Sequence, residues 1–255
     1  MSRNIPVQDW PKGYARIVLE ETDSTLNEAE RRFDDLPEPT WLLARRQTSA
    51  RGRRGRVWRQ PAGNFAGTFV TRERAGPDRA ALRSFVASLA LYDAFVAVTG
   101  RSDPFALKWP NDVLINGGKV AGILLETVQR GGKLAGVAVG IGVNLAEAPD
   151  PGLLPEDAVR PVSLFSETGV LITPEDFLTP LAKAMAHHEE SFADYGFAPI
   201  RNAWLNRAAR LGEVIIARTS TSETSGRFET VDEQGHLILA TESGRQSITA
   251  ADVFF

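Results

Sequence analysis

The sequence predicts an α+β fold, with helices packed on a largely antiparallel or mixed sheet and a small barrel-like β module after it. Three observations predict this. Residues 77–100 and 174–196 carry apolar residues at helical spacing between clear start and stop signals. Two adjoining apolar runs, "VAGILLETV" and "LAGVAVGIGVNL", are joined through "RGGK", the pattern of a buried hairpin. From Glu213 onward the chain changes to short apolar runs separated by polar turns such as "DEQGH" and "ESGR".

Taken in order, "YARIVLEE" alternates and carries β-branched residues, which predicts a first strand. "DSTLNEAERRFDD" predicts a helix, because Ser24 or Thr25 can cap it and Leu26, Ala29 and Phe33 recur at helical spacing. "WLLARRQ" is a second strand that runs into an arginine-rich loop. "NFAGTFVTR" is a third, with Phe65, Gly67 and Phe69 on alternate positions. The next helix opens at Pro77 and Asp78 and stops at Gly100. "FALKWP" then enters a turn, read over "NDVLINGGK", before the apolar hairpin. Residues 146–162 are rich in proline and acidic residues and read as a surface connection. A long helix ending at Gly196 and a further one over "PIRNAWLNRAARLG" follow. "EVIIART", "TSGRFETV", "HLILAT", "RQSIT" and "DVFF" are the strands of the last module. The domain boundary falls near Leu211, giving a main domain over 1–211 and a small β-barrel domain over 212–255.

Composition narrows the chemistry. The 255 residues are 43% hydrophobic and 24% charged, an ordinary globular profile. A net charge of -3 supplies no overall basic field for nucleic acid or anionic lipid. With no cysteine, disulfides, thiolate catalysis and cysteine-ligated zinc are excluded, and a reducing cytoplasm fits. Of three histidines, His187 and His188 are adjacent and His236 sits in a turn, so none has the i, i+4 partner of a helical metal site. The N-terminal "MSRNIPVQDWPKGY" has no long apolar run and predicts no signal peptide. The most apolar segment, 85–98, is interrupted by Asp93 and falls short of the ~20 residues of a membrane span, so it reads as a core helix.

Three segments carry chemistry. "RGRRGRVW" places four arginines and two glycines in residues 51–56, with Trp58 beyond. The glycines oppose a helix, and the arginines offer no apolar face, so a flexible loop is expected. Its planar guanidinium forks suit phosphate oxygens, though a solvated charged loop or a nucleic-acid patch fits the composition as well. In "LKWPNDVLINGGKVAGILLE", Pro110 stops a strand, Lys119 follows two glycines, and Gly122 interrupts an apolar strand where a ligand can meet backbone. A plain hairpin with its lysine in solvent is the other reading. "VAVGIGVNL" alternates Gly140 and Gly142 and ends at Asn144. It lacks a third glycine and a following helix, which rejects a dinucleotide fingerprint. Its glycines make room for a flat ligand or a bulge.

Together these segments resemble the bacterial biotin protein ligases. The resemblance rests on "DSTLNEA", "ARRQTSARGRRGRVW", "GNFAGTFV", "LKWPNDVLINGGKVAGILLE" and "GIGVNL", in family order over most of residues 14–145, with the β module matching the family's C-terminal domain. It implies a class II aminoacyl-tRNA synthetase-like sheet and an SH3-like barrel. It also implies an ATP- and Mg²⁺-dependent reaction in two steps. Biotin is activated as biotinoyl-5'-AMP, then transferred to a lysine of a biotin carboxyl carrier protein domain. Carried over by position, Ser24, Thr25 and Gln47 match contacts to the biotin ureido ring. Arg51, Gly52 and Arg53 match the loop closing over biotin and adenylate, extended by Arg54 and Arg56. Trp58 matches a tryptophan packing near the adenylate, and Gly122 a backbone contact to biotin. Lys119 matches the lysine at the reacting carboxylate and phosphate and is the first choice for a catalytic residue, with Arg51 and Asp112 beside it. Lys108, Asn111, Asp112 and Asn144 match nucleotide-side positions. The resemblance fixes no metal ligands. Ala50 stands where the family usually has glycine, and Leu26 where it is commonly polar. About a dozen residues precede the first strand, too few for a helix-turn-helix, so no sequence-specific DNA role is expected. An exposed sheet edge offers a surface for a homodimer. The nearest alternative is a lipoate protein ligase of the same fold.

Overall fold

Seven strands form the main sheet, in the order β1-β2-β3-β7-β6-β5-β4. They are β1 (Ala15–Thr22), β2 (Thr40–Gln47), β3 (Phe65–Arg72), β4 (Phe105–Lys108), β5 (Asp112–Ile115), β6 (Gly118–Arg130) and β7 (Lys133–Val143). β1 and β2 run parallel and the other pairs antiparallel, so the sheet is mixed, as expected. The computed structural model describes residues 10–37, 39–73, 75–154, 158–219 and 221–255. The signal-peptide reading falls mainly on residues 1–9, outside the described residues, as do 155–157 of the surface connection.

Side-chain alternation divides the strands between two faces. On one face, Trp41, Leu43, Phe65 and Phe69 pack with Phe95 and Phe177, from α3 (Arg83–Thr99) and α5 (Pro174–Tyr195). On the other, α1 (Thr25–Arg32) and the short turn after it lay Leu26, Ala29 and Phe33 on Leu42, Val70, Val128 and Ala138. Ser24 caps α1, accepting from the Leu26 N–H at 3.3 Å. Glycines on β7 let α1 approach: a Cβ at Gly140 would lie 2.8 Å from Leu26 Cδ1, and one at Gly136 2.3 Å from Phe33 Cζ. Leu26 is therefore a packing residue.

The structure redraws several elements. The helix expected over 77–100 divides into α2 (Pro77–Ala81) and α3. Together they are long and apolar enough to cross a membrane, but Phe85, Val86, Leu89, Leu91 and Phe95 are buried in the protein core. The turn read over "NDVLINGGK" contains β5, which pairs with both β4 and β6. A short helix not anticipated from the sequence, α4 (Leu164–Thr168), is closed by a Ser163–Ser166 capping box. The last helix, α6 (Phe197–Leu205), ends before the expected Gly212 because the following backbone is used elsewhere. Leu107 N–H donates to Arg207 O and Ala209 N–H to Leu107 O, each at 2.8 Å, which covers the β4 edge.

The second sheet contains β8 (Val214–Arg218), β9 (Glu223–Val231), β10 (Leu237–Thr241), β11 (Gly244–Ile248) and β12 (Asp252–Phe254), ordered β11-β10-β9-β8-β12. Among the described residues no ladder joins β11 to β12, so the expected barrel is not closed. Phe228, Val231, Leu237 and Leu239 belong to the same buried cluster as the main core. Buried Trp109 donates its indole N–H to Gly235 O at 3.0 Å, across the two sheets' modules.

Candidate active site

α1 covers only part of its face of the sheet. Beyond it, Gly122 on β6 stands directly opposite Gly142 on β7, and the arginine loop lies over this pair. A Cβ at Gly142 would fall 2.5 Å from Trp58 Cε2 and 2.6 Å from Nε1; one at Gly122 would lie 3.2 Å from Trp58 Cζ3. The two glycines thus form a flat floor on which the indole rests. Gly140 and Gly142 share a face by alternation, yet one seats a helix residue and the other the loop.

The loop is not the open flexible segment its composition suggests. Arg51 and Val57 form an antiparallel bridge, Trp58 N–H donates to Ala50 O at 3.0 Å, and Gly52 N–H donates to Arg56 O at 2.7 Å. Arg54 (φ 56°) and Gly55 (φ 72°) turn the chain back. Ala50 does not adopt a positive φ, so the position makes no demand for glycine.

Each loop arginine has a named partner. Arg51 donates from Nε and Nη2 to the two oxygens of Glu126, at 3.0 and 2.8 Å, and from Nη1 to Asn27 Oδ1 at 2.7 Å. Arg53 donates to Asn111 Oδ1 at 3.2 Å and to Ala251 O at 3.3 Å. Arg54 and Arg56 both meet Asp252 Oδ2 on β12, at 2.8 and 2.5 Å. These contacts order the loop. Burial pushes the Asp252 carboxyl up, but the Arg56 hydrogen bond and the charges of Arg56, Arg54 and Arg53 outweigh it, leaving it below the usual range. Burial likewise pulls Arg53 down from its ordinary value.

Beside the floor, Lys119 Nζ lies 2.6 Å from Asp112 Oδ1 and 5.7 Å from the centre of the Trp58 ring. Lys108, 7% exposed, places its ammonium 3.9 Å from Asp112 Oδ2. Burial pushes the Lys108 amine down; Asp112 opposes that, and the Lys119 charge adds to it. Asn111 is anchored by donating to Ile123 O at 2.5 Å, which holds its oxygen toward Arg53. Asn144 is buried at the end of β7, where its amide donates to Val162 O at 3.1 Å. It fixes the chain entering α4. On the other side, Gln47 Oε1 accepts from Thr25 N–H at 2.8 Å, and the Thr25 hydroxyl receives a hydrogen bond from Thr68 at 2.8 Å.

The site is a glycine floor under an indole, with Lys119 beside it, Lys108 sharing the Asp112 partner, and Arg51 and Arg53 on the loop that carries Trp58. Cationic side chains held in this way can position anionic groups and stabilise charge developing on them.

Residues 16–144 match the family model described as the biotin/lipoate A/B protein ligase family, and residues 211–255 match the biotin protein ligase C terminal domain. The chain belongs to the biotin/lipoate ligase family. It is 57% identical over 238 residues to a biotin–[acetyl-CoA-carboxylase] ligase of Paracoccus denitrificans, covering 93% of this chain and 99% of that one. It is 27% identical to the bifunctional ligase/repressor BirA of Escherichia coli, over 89% of this chain and 70% of the relative. Among solved structures, the biotin protein ligase from Aquifex aeolicus in complex with biotin and ATP superposes with a TM-score of 0.79 at 26% identity, covering 94% of this chain and 98% of that one.

Within this ligase family member, sequence reasoning missed Asn27, Gln60, Thr68, Glu126 and Asp252. Asn27 and Glu126 lie inside the quoted motifs but carry no signal of facing Arg51. Asp252 reads as an acid opening a short terminal strand, and only the pairing of β12 with β8 brings it to the loop.

Proposed function

We propose that this protein activates biotin with ATP and transfers it to a lysine of a biotin carboxyl carrier protein domain in the cytoplasm. In the first step a biotin carboxylate oxygen attacks the α-phosphate, the bond to the bridging oxygen breaks, and pyrophosphate leaves. In the second, the acceptor lysine's amine attacks the acyl carbon of biotinoyl-5'-AMP, gives up a proton, and AMP departs with the anhydride oxygen. The protein supplies no nucleophile, and its contribution is positioning and electrostatics. One observation supports the reading: the arginine loop seats Trp58 on the Gly122–Gly142 floor, with Lys119 beside the indole and Lys108 sharing its Asp112 partner.

Lys119 and Arg51 are assigned to the carboxylate and phosphate oxygens, and Lys108, Arg53 and Asn111 to the nucleotide side. Ser24, Thr25, Gln47, Gly52 and Gly122 are assigned to biotin. Arg54 and Arg56 hold the loop, and Asn144 supports the nucleotide side through the backbone it anchors. Residues 1–211 carry the catalytic chemistry, and 212–255 carry the carboxylate that meets the loop. Mg²⁺ fits this site as the triphosphate's own ion: it takes one or two carboxylates plus phosphate oxygens, and Asp112 is the carboxylate placed between the two lysines. Bound there, it would neutralise phosphate charge. No sequence-specific DNA role is assigned, because Arg51, Arg54 and Arg56 are engaged by carboxylates within the chain and Arg53 by Asn111 and the Ala251 carbonyl.

The test is mass-spectrometric detection of biotinoyl-AMP after incubation with biotin and MgATP, with lipoate in a parallel reaction. Adenylate from biotin is expected. Pyrophosphate release with lipoate alone would transfer the reading to a lipoate ligase.

A further inference from the structure

The Thr25–Gln47 contact continues into residues that no role yet covers. Gln47 Oε1 faces the Thr25 N–H at 2.8 Å and accepts from the Thr25 hydroxyl at 3.2 Å. A backbone N–H only donates, so the Gln47 atom facing it is oxygen, and the amide has one orientation. Gln47 Nε2 then donates to Gln60 Oε1 at 3.2 Å. Gln60 is oriented from its far end, because its own Nε2 faces the carbonyls of Asn64 at 3.3 Å and Arg45 at 3.5 Å, which only accept. At the opposite end the fully buried Thr68 hydroxyl donates to Thr25 Oγ1 at 2.8 Å. The protons therefore point one way along the chain, from Thr68 to Thr25, Gln47, Gln60 and the backbone.

We propose that Thr68 and Gln60 are positioning residues that set this direction and so determine which ring the site accepts. With the chain in place, Thr25 keeps one hydroxyl lone pair and Gln47 one N–H proton for a ligand. That is a paired acceptor and donor, the complement of a cyclic urea with its N–H groups and carbonyl oxygen. A dithiolane ring offers neither partner. The inference rests on the biotin reading above and extends it to the selection of biotin over lipoate. It also links the two ends of the site, since Gln60 lies two residues beyond Trp58, where the arginine loop ends.

The test compares wild type with Thr68→Val, Thr68→Ser and Gln60→Leu, following pyrophosphate release with biotin and with desthiobiotin, which keeps the urea ring but lacks sulfur. Thr68→Val preserves shape and removes the donor. It should raise KM for biotin roughly tenfold, with kcat and the KM for ATP unchanged, as expected when a buried hydrogen-bond partner is lost and binding alone is affected. Desthiobiotin should suffer equally, and Thr68→Ser should restore the wild-type KM. Gln60→Leu, on a partly exposed segment, should reproduce the effect if Thr68→Val fails to fold. An unchanged KM in Thr68→Val and Gln60→Leu overturns the proposal, as does a Ser variant no better than Val. A wild type that forms no adenylate from biotin overturns the underlying function itself, which separates the two failures.

Discussion

A methyl group added at Gly142 should disable activity at little cost in stability, whereas the same group at Gly140 should destabilise the fold. The two positions are neighbours on one face of β7 and differ in what rests on them. At Gly140 the new Cβ would lie 2.8 Å from Leu26 Cδ1, 2.9 Å from its Cγ and 3.2 Å from Leu124 O. Leu26 is 5% exposed and belongs to the cluster beneath α1. It has no free side to move into, so α1 must lift. Overpacking costs about 1–3 kcal/mol, offset by about 0.4–1 kcal/mol from the stiffer unfolded chain. A net loss of ~1–2 kcal/mol lowers Tm by about 3–6 °C in a protein of this size. At Gly142 all three nearest atoms, at 2.5–2.7 Å, belong to Trp58. Trp58 sits on a loop and is only partly buried, so it swings away. The strain is relieved and Tm should stay within about 1 °C. Adenylation should fall tenfold or more, because the floor no longer accepts a flat group and the cover is lost; each 1.4 kcal/mol is about tenfold in rate. Thermal melting and pyrophosphate release measure the two axes. Equal loss of Tm in both variants, or undiminished adenylation by Gly142→Ala, would refute the assignment of Gly142 as a seat.

Three further outcomes are expected. Lys119→Ala should reduce the rate of adenylate formation by at least ~10²-fold, the scale of removing one preorganised charge contact, with Tm little changed; an unaltered single-turnover rate removes Lys119 from the chemistry. Lys108→Met should change stability by no more than about 2 kcal/mol, since the desolvation cost of a buried cation is removed and Asp112 loses one of its two lysines but keeps Lys119, while ATP turnover falls. The Lys108 amine is pushed below its ordinary value, so the unfolded state binds more protons between the two pKa values. Wild-type stability should thus gain a Lys108 contribution as pH rises through that window, and denaturant melts of the Met variant should lack it. Asp252→Asn should change stability by less than about 1 kcal/mol, since Arg54 and Arg56 are 42% and 59% exposed at their side chains. It should nevertheless speed tryptic cleavage at Arg53–Arg56. For wild type the same cleavage should accelerate as pH falls below the ordinary carboxylate range, because a depressed Asp252 pKa confers stability above that range and loses it below; an enzyme tolerant of acid suits the measurement.

Much of the fold was legible in the sequence because local rules and burial agreed. The Ser24 cap, the "RGGK" hairpin with its two left-handed glycines, and the start of α5 at Pro174 all follow from short-range chemistry. The misreadings share a cause. β5 has only four residues, between Pro110–Asn111 and Asn116–Gly117, so turn signals outweigh it until two neighbours pair with it. The segment after Leu205 has helix-forming residues, yet its backbone groups are claimed by Leu107, about a hundred positions away. In sequence the glycines of β7 read as room for a flat ligand or a bulge, and the first suits Gly142. Nothing in the sequence distinguishes it from Gly140, which makes room for a helix.

The arginine loop shows the same limit in electrostatic form. In sequence it is a bare cluster of charge in an acidic protein. In space three of the four charges meet a carboxylate at hydrogen-bond distance, Arg51 at Glu126, 75 positions away, and Arg54 and Arg56 at Asp252, 198 and 196 positions away, while Arg53 stands 4.0 Å from Asp252. Lys119 is answered by Asp112. An anion reaching these side chains would therefore have to exchange with carboxylates already in place and would not fill an uncompensated positive cavity. Exchange costs less selectivity than raw attraction, because a ligand must match the geometry of the acid it displaces to hold a bidentate guanidinium. It also explains how an acidic chain can keep four arginines in six positions without drawing polyanions to them. With a carboxylate beside these forks, the net field is small at a distance.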